Sequence, residues 1–294
     1  MKKIKVKAFA KINLAIDVLR QREDGYHEVR MVMQQIGLYD EISIEEIPEQ
    51  EIKIRTDLEY LPENRENLAY RAAESFIQAF GIKRGVQIDI SKKIPVSAGL
   101  AGGSADAAAV LNGLNDLWDM KAGKQLMVLG GKIGADVPFC ISGGCALAEG
   151  IGEKLKPVKE VDCFIVLCRP NIRISTGEVY QKLQLHNITE RPDIDALVYH
   201  LSQNSPIEAF RKNMVNVLET VTMEEYPIIY NIKKKLLECQ AEASLMSGSG
   251  PAVFGLFRDY YRAKSAYENL KKLYSDTFLV KSIPKKKLLI KQEG

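Results

Sequence analysis

The chain has 294 residues, of which 46% are hydrophobic and 27% charged, and this ordinary globular composition excludes disordered, collagen-like and low-complexity classes. Its 41 lysines and arginines nearly balance its 38 aspartates and glutamates, and the net charge of +3 excludes a strong overall attraction to nucleic acid or acidic membranes. The five cysteines form no Cys-x-x-Cys pair and the three histidines are scattered, so neither a disulfide framework nor a zinc site is predicted.

The first part of the chain is predicted to consist mainly of strands. Strand-forming residues fill positions 4–19, where Lys7, Lys11 and Asp17 interrupt the apolar run and argue against a signal peptide. No run approaches the ~20 residues of a membrane span, and we therefore expect a cytoplasmic protein with no membrane partner. A helix is predicted over 67–80, because apolar side chains recur every four residues and a glycine follows. Further strands are predicted over 29–38, 41–46, 51–55 and 86–90.

The rest of the chain mixes helices and strands irregularly, which predicts an α+β fold rather than a doubly wound sheet. The pattern changes around Pro157, and we expect two domains, 1–157 and 158–294. In chain order, the predicted elements are a glycine-rich loop at 95–104, helices over 105–118 and 124–133, strands over 140–148 and 161–168, helices over 176–183, 193–201, 213–221 and 227–239, a strand–turn–strand over 243–257, a helix over 260–273 and a strand over 277–280.

The glycine-rich loop is the most informative segment. Its glycines allow the backbone to approach a ligand closely, and the helix that follows offers free N–H groups to a phosphate. By spacing alone, a phosphate site and a plain turn are equally good interpretations. Neither a Gly-x4-Gly-Lys-Ser/Thr loop nor a Gly-x-Gly-x-x-Gly fingerprint is present after a strand. The loop residues are Pro95, Val96, Ser97, Ala98, Gly99, Leu100, Ala101, Gly102, Gly103, Ser104 and Ala105.

Four segments together resemble one family. The loop pattern Pro-x3-Gly-Leu-x-Gly-Gly-Ser is similar to the phosphate loop of the galactokinase, homoserine kinase, mevalonate kinase and phosphomevalonate kinase (GHMP) family. Three further segments appear in the family's order; the first two resemble one branch of the family, and the last resembles the third motif of the whole family. They are Ala10-Lys11-Ile12-Asn13-Leu14 with Asp24-Gly25-Tyr26-His27, then Gly134-Ala135-Asp136-Val137-Pro138-Phe139, and finally Ser247-Gly248-Ser249-Gly250.

The resemblance implies a two-domain α+β fold with the active site in the cleft between the domains. Residues 1–157 would form an ATP-binding domain similar to domain 2 of ribosomal protein S5, and residues 158–294 a substrate-binding domain. The branch transfers the γ-phosphate of ATP, with Mg²⁺ and no other cofactor, to the 2-hydroxyl of a small molecule. That substrate is a methylerythritol carrying a cytidine diphosphate group, on the non-mevalonate route to isoprenoid precursors.

The resemblance also implies residue roles. Asp136 would be the general base that accepts the hydroxyl proton, since phosphoryl transfer needs a nearby acceptor. Lys11 would pair with Asp136 and favour the developing alkoxide, while Asn13 would orient the substrate hydroxyls. Without the family, the sequence favours a turn aspartate at 136 and a solvated lysine at 11, and Asn13 would be a polar strand-edge residue.

The family's binding residues map onto the remaining motif positions. The cytidine pocket would consist of Tyr26, His27 and Tyr180, whose aromatic rings can stack on a base. Gly248, Ser249 and Gly250 would form a turn over the phosphates or the substrate, although a plain hairpin turn explains them equally well. The adenine contacts would be Asn67 and Leu68.

Two departures from the family pattern affect the loop. The family carries a second serine where this chain has Ala105, so the magnesium ligand is left unassigned and Asp106 is only a candidate. Ala101 replaces a glycine, which we expect to be harmless if its φ is negative.

Two alternatives stay open at this point. One is a GHMP kinase for a substrate without a base, such as homoserine, mevalonate or a sugar. The other is a non-catalytic RNA-binding protein on an S5-like fold, against which the near-neutral charge argues. In the leading interpretation the protein has no nucleic-acid partner. The sequence does not indicate an oligomeric state.

Overall fold

The computed structural model describes residues 2–285 and the backbone of residues 289–293. The strands are β1 Lys3–Gln21, β2 His27–Ile47, β3 Ile52–Thr56, β4 Gly85–Ser91, β5 Cys145–Glu149, β6 Lys154–Val158, β7 Phe164–Arg169, β8 Ala243–Met246, β9 Val253–Phe257, β10 Asp276–Lys281 and β11 Leu289–Glu293. The helices are α1 Leu68–Phe80, α2 Gly102–Leu117, α3 Lys124–Ile133, α4 Val137–Ser142, α5 Thr176–Lys182, α6 Ile194–Ser202, α7 Ile207–Phe210, α8 Glu219–Glu225, α9 Pro227–Glu238 and α10 Tyr260–Lys271.

A seven-stranded sheet organises the first part of the molecule. Its strands follow the order β11-β1-β2-β4-β3, with β5 pairing β2 and β6 pairing β5. The long antiparallel strands β1 and β2 form its centre. Helix α2 packs on β1, and its buried side chains include four alanines. Helix α1 begins where the side chain of Asn67 accepts the N–H of Ala69, and it ends at Gly81 with a φ of 62°.

A four-stranded antiparallel sheet organises the second part, in the order β10-β7-β9-β8. Helices α9 and α10 contact its strands and bury Ile232, Leu236, Ala263 and Leu270. No helix among residues 2–285 and 289–293 is long and apolar enough to cross a membrane.

The two sheets are joined at several places along the central hairpin. Ile16 of β1 exchanges backbone hydrogen bonds with Val215 and Val217, at 2.9 and 3.1 Å. The N–H of Ile283 donates to the carbonyl of Gln35 at 3.1 Å, and β11 returns to pair with β1. The predicted domain division at residue 157 falls inside β6, which still belongs to the first sheet, and that division stays a prediction.

Some predicted elements differ from the structure. The strands predicted over 29–38 and 41–46 are one strand, because Tyr39 and Asp40 continue to pair with β1. The strand predicted over 140–148 is wrong at its start, since 140–142 belong to α4 and two positive-φ glycines separate that helix from β5. The helix predicted over 213–221 begins only at Glu219. Strands β6 and β11 were not predicted, and the side chains of the predicted basic tail at 286, 287 and 291 lie outside the described residues.

Candidate active site

A cavity of about 850 Å³ opens between the two sheets. Its walls come from β1, the start of β2, the beginning of α2, helix α5 and the turn between β8 and β9. The sequence-predicted residues on it are Lys11, Asn13, Tyr26, His27, Leu68, Ser97, Ala98, Gly99, Ala101, Gly102, Gly103, Ser104, Asp136, Tyr180, Gly248 and Ser249. Four segments that are far apart in the sequence therefore meet at one cavity.

The glycine-rich loop wraps around the start of α2. Ser97, Gly99 and Ala101 have φ values of 53°, 74° and 57°, which curl the backbone around the cavity. Helix α2 begins at Gly102 rather than at the predicted residue 105, and Ala101 at its N-cap has no side chain to accept an N–H. The first N–H groups of this helix therefore lack a capping side chain and suit a phosphate. The condition under which we expected Ala101 to be harmless, a negative φ, is therefore not met.

Not every predicted loop residue lines this cavity. Leu100 and Ala105 are each 1% exposed and belong to the hydrophobic core. The side chain at position 105 faces that core, so the missing family hydroxyl removes no group from the cavity wall. Pro95 and Val96 line a smaller cavity of about 310 Å³, which shares Ser97 with the first.

Strand β1 presents a lysine and an asparagine to the cavity floor. Irregularities in the pairing with β2 fall between Phe9 and Lys11 and again after Asn13, and such bulges redirect side chains. The Nζ of Lys11 donates to Asn13 Oδ1 at 2.6 Å and to the carbonyl of Gly99 at 3.0 Å. Buried Lys11 is thus held between its own strand and the glycine-rich loop.

Asp136 lies at the start of α4, and its carboxylate lines the same cavity. Its Oδ2 is 3.9 Å from Lys11 Nζ, and its side chain is 30% exposed. The structure therefore brings together the predicted catalytic pair, with the lysine buried and the carboxylate accessible to a ligand. The distance fits an ion pair in which the carboxylate oxygens stay open to accept another proton donor.

The other end of the cavity is aromatic. The rings of His27 and Tyr180 lie 5.1 Å apart at an angle of 39°. Burial lowers the pKa of His27, which keeps its imidazole neutral near pH 7. Burial and the nearby Asp136 raise the pKa of Tyr180 to about 12, so its hydroxyl remains a donor. Tyr26 lines the cavity but is 61% exposed.

The turn between β8 and β9 closes the cavity against the loop. The hydroxyl of Ser247 donates to the carbonyl of Gly99 at 2.9 Å, and Ser249 Oγ lies 2.7 Å from Thr176 Oγ1 of α5. A Cβ on Gly99 would come within 2.1 Å of the carbonyl oxygen of Ser247, so only glycine fits at this contact. This turn joins loop and helix and is more than a plain hairpin connection. Gly250 is not on the cavity wall.

An ion cluster lies beneath the start of α2. Lys92 Nζ donates to Asp106 Oδ2 at 2.6 Å and to Asp40 Oδ2 at 2.5 Å, and all three side chains are buried. Burial raises the pKa of Asp106 to about 8. Asp106 thus pairs with Lys92 and does not line the cavity, which argues against it as a magnesium ligand.

The oxygen donors on the cavity wall indicate how magnesium could be held. In the part of the chain that the structure describes, no three His, Cys, Asp or Glu side chains form a metal site. The cavity offers the hydroxyl of Ser104 and the carboxylate of Asp136. These donors suit a cation that brings most of its ligands with it, as Mg²⁺ does when bound to nucleotide phosphates.

Sequence reasoning missed several residues of the site. Gln21, Ile151, Thr176, Gln181 and Leu218 line the cavity, but none stands in a segment with a recognisable pattern. Asn67 caps α1, with its amide nitrogen donating to the carbonyl of Pro62 at 2.9 Å. Its predicted adenine contact stays a prediction, as does that of Leu68, which does line the cavity.

Comparisons with known proteins agree with one another. Residues 67–144 match the family model of the GHMP kinases N terminal domain, and residues 196–276 match that of the GHMP kinases C terminal domain. The chain is 52% identical to 4-diphosphocytidyl-2-C-methyl-D-erythritol kinase of Alkaliphilus metalliredigens, over 98% of this chain and 99% of the relative. The protein of that name from Acetivibrio thermocellus is 48% identical, over 96% of this chain and 100% of the relative.

Solved structures show the same likeness. A crystal structure of 4-(cytidine 5'-diphospho)-2C-methyl-D-erythritol kinase matches with a TM-score of 0.82 at 32% identity, covering 95% of this chain and 99% of the other. A homoserine kinase from Cytophaga hutchinsonii matches with a TM-score of 0.78 at 19% identity, over 97% and 96% of the two chains, which shows a shared fold. The predicted α+β fold is confirmed.

Proposed function

This chain belongs to the GHMP kinase family, and we propose that Asp136 and Lys11 form its catalytic pair. Like the relatives with which it is 52% and 48% identical, it is an ATP-dependent kinase of 4-diphosphocytidyl-2-C-methyl-D-erythritol. The reaction supplies isoprenoid precursors. The observation that carries the catalytic assignment is the 3.9 Å separation of Lys11 Nζ and Asp136 Oδ2 on the wall of the shared cavity.

In this mechanism, Asp136 accepts the proton of the 2-hydroxyl while that oxygen attacks the γ-phosphorus of ATP. The Lys11 ammonium lies between Asp136 and the phosphate loop, where it stabilises the negative charge that develops on the attacking oxygen. Asn13 holds the lysine in place through the 2.6 Å hydrogen bond. The start of α2 binds the phosphates with its free N–H groups.

The cytidine of the substrate and the adenosine of ATP are placed by the chemistry of the cavity walls. The cytosine would stack against the His27 and Tyr180 rings, where the neutral imidazole can hydrogen-bond the base edge. The adenine would enter the smaller cavity, which continues from Ser97 and has the apolar side chains of Leu58 and Val96 in its wall. Neither Asn67 nor Leu68 lines that cavity, so this placement differs from the predicted adenine contacts. Magnesium would arrive with ATP, neutralise phosphate charge and take Ser104 as its protein ligand.

A test replaces Asp136 by asparagine, which keeps the shape of the side chain and removes the proton acceptor. We expect kcat for ADP release to fall by at least about 10²-fold, because a positioned base contributes about that much or more, with the KM for ATP little changed. A matched control is Asp119→Asn, which removes an exposed carboxylate 3.8 Å from Lys121 and away from the cavity. Equal kcat values for the two variants would overturn the assignment.

An assay that compares different phosphate acceptors identifies the substrate. The assay compares 4-diphosphocytidyl-2-C-methyl-D-erythritol with homoserine, mevalonate and no acceptor. We expect ADP release above background only with the cytidine compound, since His27 and Tyr180 have no role with an acceptor that lacks a base. Turnover of homoserine or mevalonate at a comparable rate would overturn the base-pocket assignment and leave the family unchanged.

A further inference from the structure

A short segment of the second part of the molecule lies on the strand that carries Lys11. Val215 and Val217 pair with Ile16 of β1 through hydrogen bonds of 2.9 and 3.1 Å. Asn216, between them, is 2% exposed and does not line the cavity. Its backbone is therefore fixed to β1, five residues beyond Lys11 and three beyond Asn13.

The side chain of Asn216 holds the turn over the cavity. Its Nδ2 donates to the carbonyls of Met246 and Gly248 at 3.0 and 2.8 Å, while its Oδ1 accepts the N–H of Leu218 at 3.0 Å. The amide group thus uses both donors and its acceptor within the protein. Among uncharged side chains, only asparagine and the longer glutamine offer two donors and an acceptor in one planar amide group.

The contact continues from this turn to the phosphate loop. Ser247 donates to the carbonyl of Gly99 at 2.9 Å, and the same carbonyl accepts the Nζ of Lys11 at 3.0 Å. Glu219 binds the residue just before the turn, accepting the N–H of Met246 at 2.7 Å. A closed path of hydrogen bonds therefore runs from β1 through Asn216 and the turn to the loop, and back to Lys11.

We propose that Asn216 is a positioning residue for phosphoryl transfer: it sets the distance between the 247–250 turn and β1, and so aligns the phosphate loop with Lys11 and Asp136. The proposal rests on the proposed function only for its kinetic consequence. Because the path is closed, a shift of the turn moves the carbonyl of Gly99 relative to Lys11. Misplacement of about 1 Å at a reacting centre costs roughly 10²-fold in rate.

The test uses Asn216→Asp and Asn216→Ser in the full-length protein. The aspartate keeps the acceptor for Leu218 N–H but turns an oxygen toward two carbonyls, and the serine keeps at most one donor. We expect kcat to fall by about 10- to 100-fold with the KM for ATP within about threefold of wild type. For Asn216→Asp, the kcat ratio to wild type should rise as pH falls, since protonation restores one donor.

The matched control is Asn213→Ala. Asn213 lies in the same segment and is 5% exposed, but its Nδ2 has no hydrogen-bond partner among the described residues. We expect its kcat to stay near wild type, even where its thermal stability falls. Amide hydrogen exchange of residues 247–250 supplies a measure independent of activity: it should accelerate in both Asn216 variants and not in the control.

Each possible result supports or overturns the role proposed for Asn216. Unchanged exchange of the turn, or faster exchange with an unchanged kcat, would overturn the proposal. Unfolding of both Asn216 variants at the assay temperature, with Asn213→Ala folded, would assign Asn216 a purely structural role and also overturn it. If the wild-type protein phosphorylates no acceptor while its turn exchange responds as expected, the proposed function fails and the role of Asn216 in holding the turn stands.

Discussion

At the scale of single residues, burial decides the charge that Asp106 carries. Its carboxyl lies beside Lys92 and Asp40 beneath the start of α2, and burial raises its pKa from 3.8 to about 8. The folded protein therefore holds a proton at neutral pH that the unfolded chain releases near pH 3.8. The lysine and this proton together compensate the two carboxyl groups of the cluster, so the start of α2 gains no negative charge from below.

This shift predicts a specific pH dependence of stability. Since the folded state binds more protons between pH 4 and 8, the free energy of unfolding falls as pH rises through that window and levels off above it. Asp106→Asn keeps an oxygen for Lys92 and removes the titration. We expect a shallower decline for this variant when urea unfolding is measured from pH 5 to 9. Parallel curves for the two proteins would contradict the assignment of the raised pKa.

At the scale of elements, helix α2 begins without a capping side chain and with a strained residue. Ala101 has a φ of 57°, a conformation that asparagine and aspartate adopt more readily than alanine. We predict that Ala101→Asn retains ATP binding, whereas Ala101→Asp raises the KM for ATP by about tenfold or more, because its charge repels the phosphates. The two side chains have the same shape, so equal KM values would show that no phosphate binds at this helix start.

The sequence could predict elements whose signals are local. Helix α1 has a capping asparagine, a four-residue apolar period and a terminal glycine, and β1 has a long apolar run closed by a turn. The last three residues of helix α4, 140–142, were assigned to the following strand, because a short apolar run does not distinguish a helix end from a strand start. Strand β11 was not predicted, since its partner β1 is distant in the sequence.

The site residues differ in the same way: some stand in sequence motifs and others do not. Lys11, Asp136 and the loop glycines stand in motifs that resemble a family, and the structure brings them to one cavity. Asn216 and Thr176 have no such pattern around them. Their contacts depend on how the second sheet docks on β1, and residue spacing carries no information about docking. Backbone angles are also hard to predict from sequence: the positive φ of Ala101 is given only by the structure.

At the scale of the whole molecule, the two sheets are joined by main-chain hydrogen bonds as well as by side chains. Ile16 pairs with the 215–217 segment, and Arg30 of β2 binds Asp195 of α6 at 2.6 Å. The main-chain contact of Ile16 is buried, so breaking it makes partial unfolding of either part costly. The Arg30–Asp195 pair is exposed and adds little. The molecule should therefore behave as one cooperative unit even though two family models divide its length.

This arrangement predicts coincident unfolding transitions. The single tryptophan, Trp118, lies in the first part, where its Nε1 donates to Glu46 at 2.9 Å. Its fluorescence reports that part alone, whereas far-ultraviolet circular dichroism also reports helices α5 to α10. We expect the same urea midpoint from both signals. A fluorescence midpoint clearly displaced from the dichroism midpoint would indicate that the two parts unfold separately.

The contact between Gly99 and the carbonyl of Ser247 also bears on inhibitor resistance. Two main-chain segments meet there so closely that a Cβ on Gly99 would lie 2.1 Å from the carbonyl oxygen. A side-chain substitution at Gly99 would separate them and disrupt the proposed catalytic arrangement. Gly99 itself lines the cavity. A compound that packs against Gly99 would therefore contact a position that tolerates no side chain, so escape mutations would have to arise elsewhere in the cavity wall.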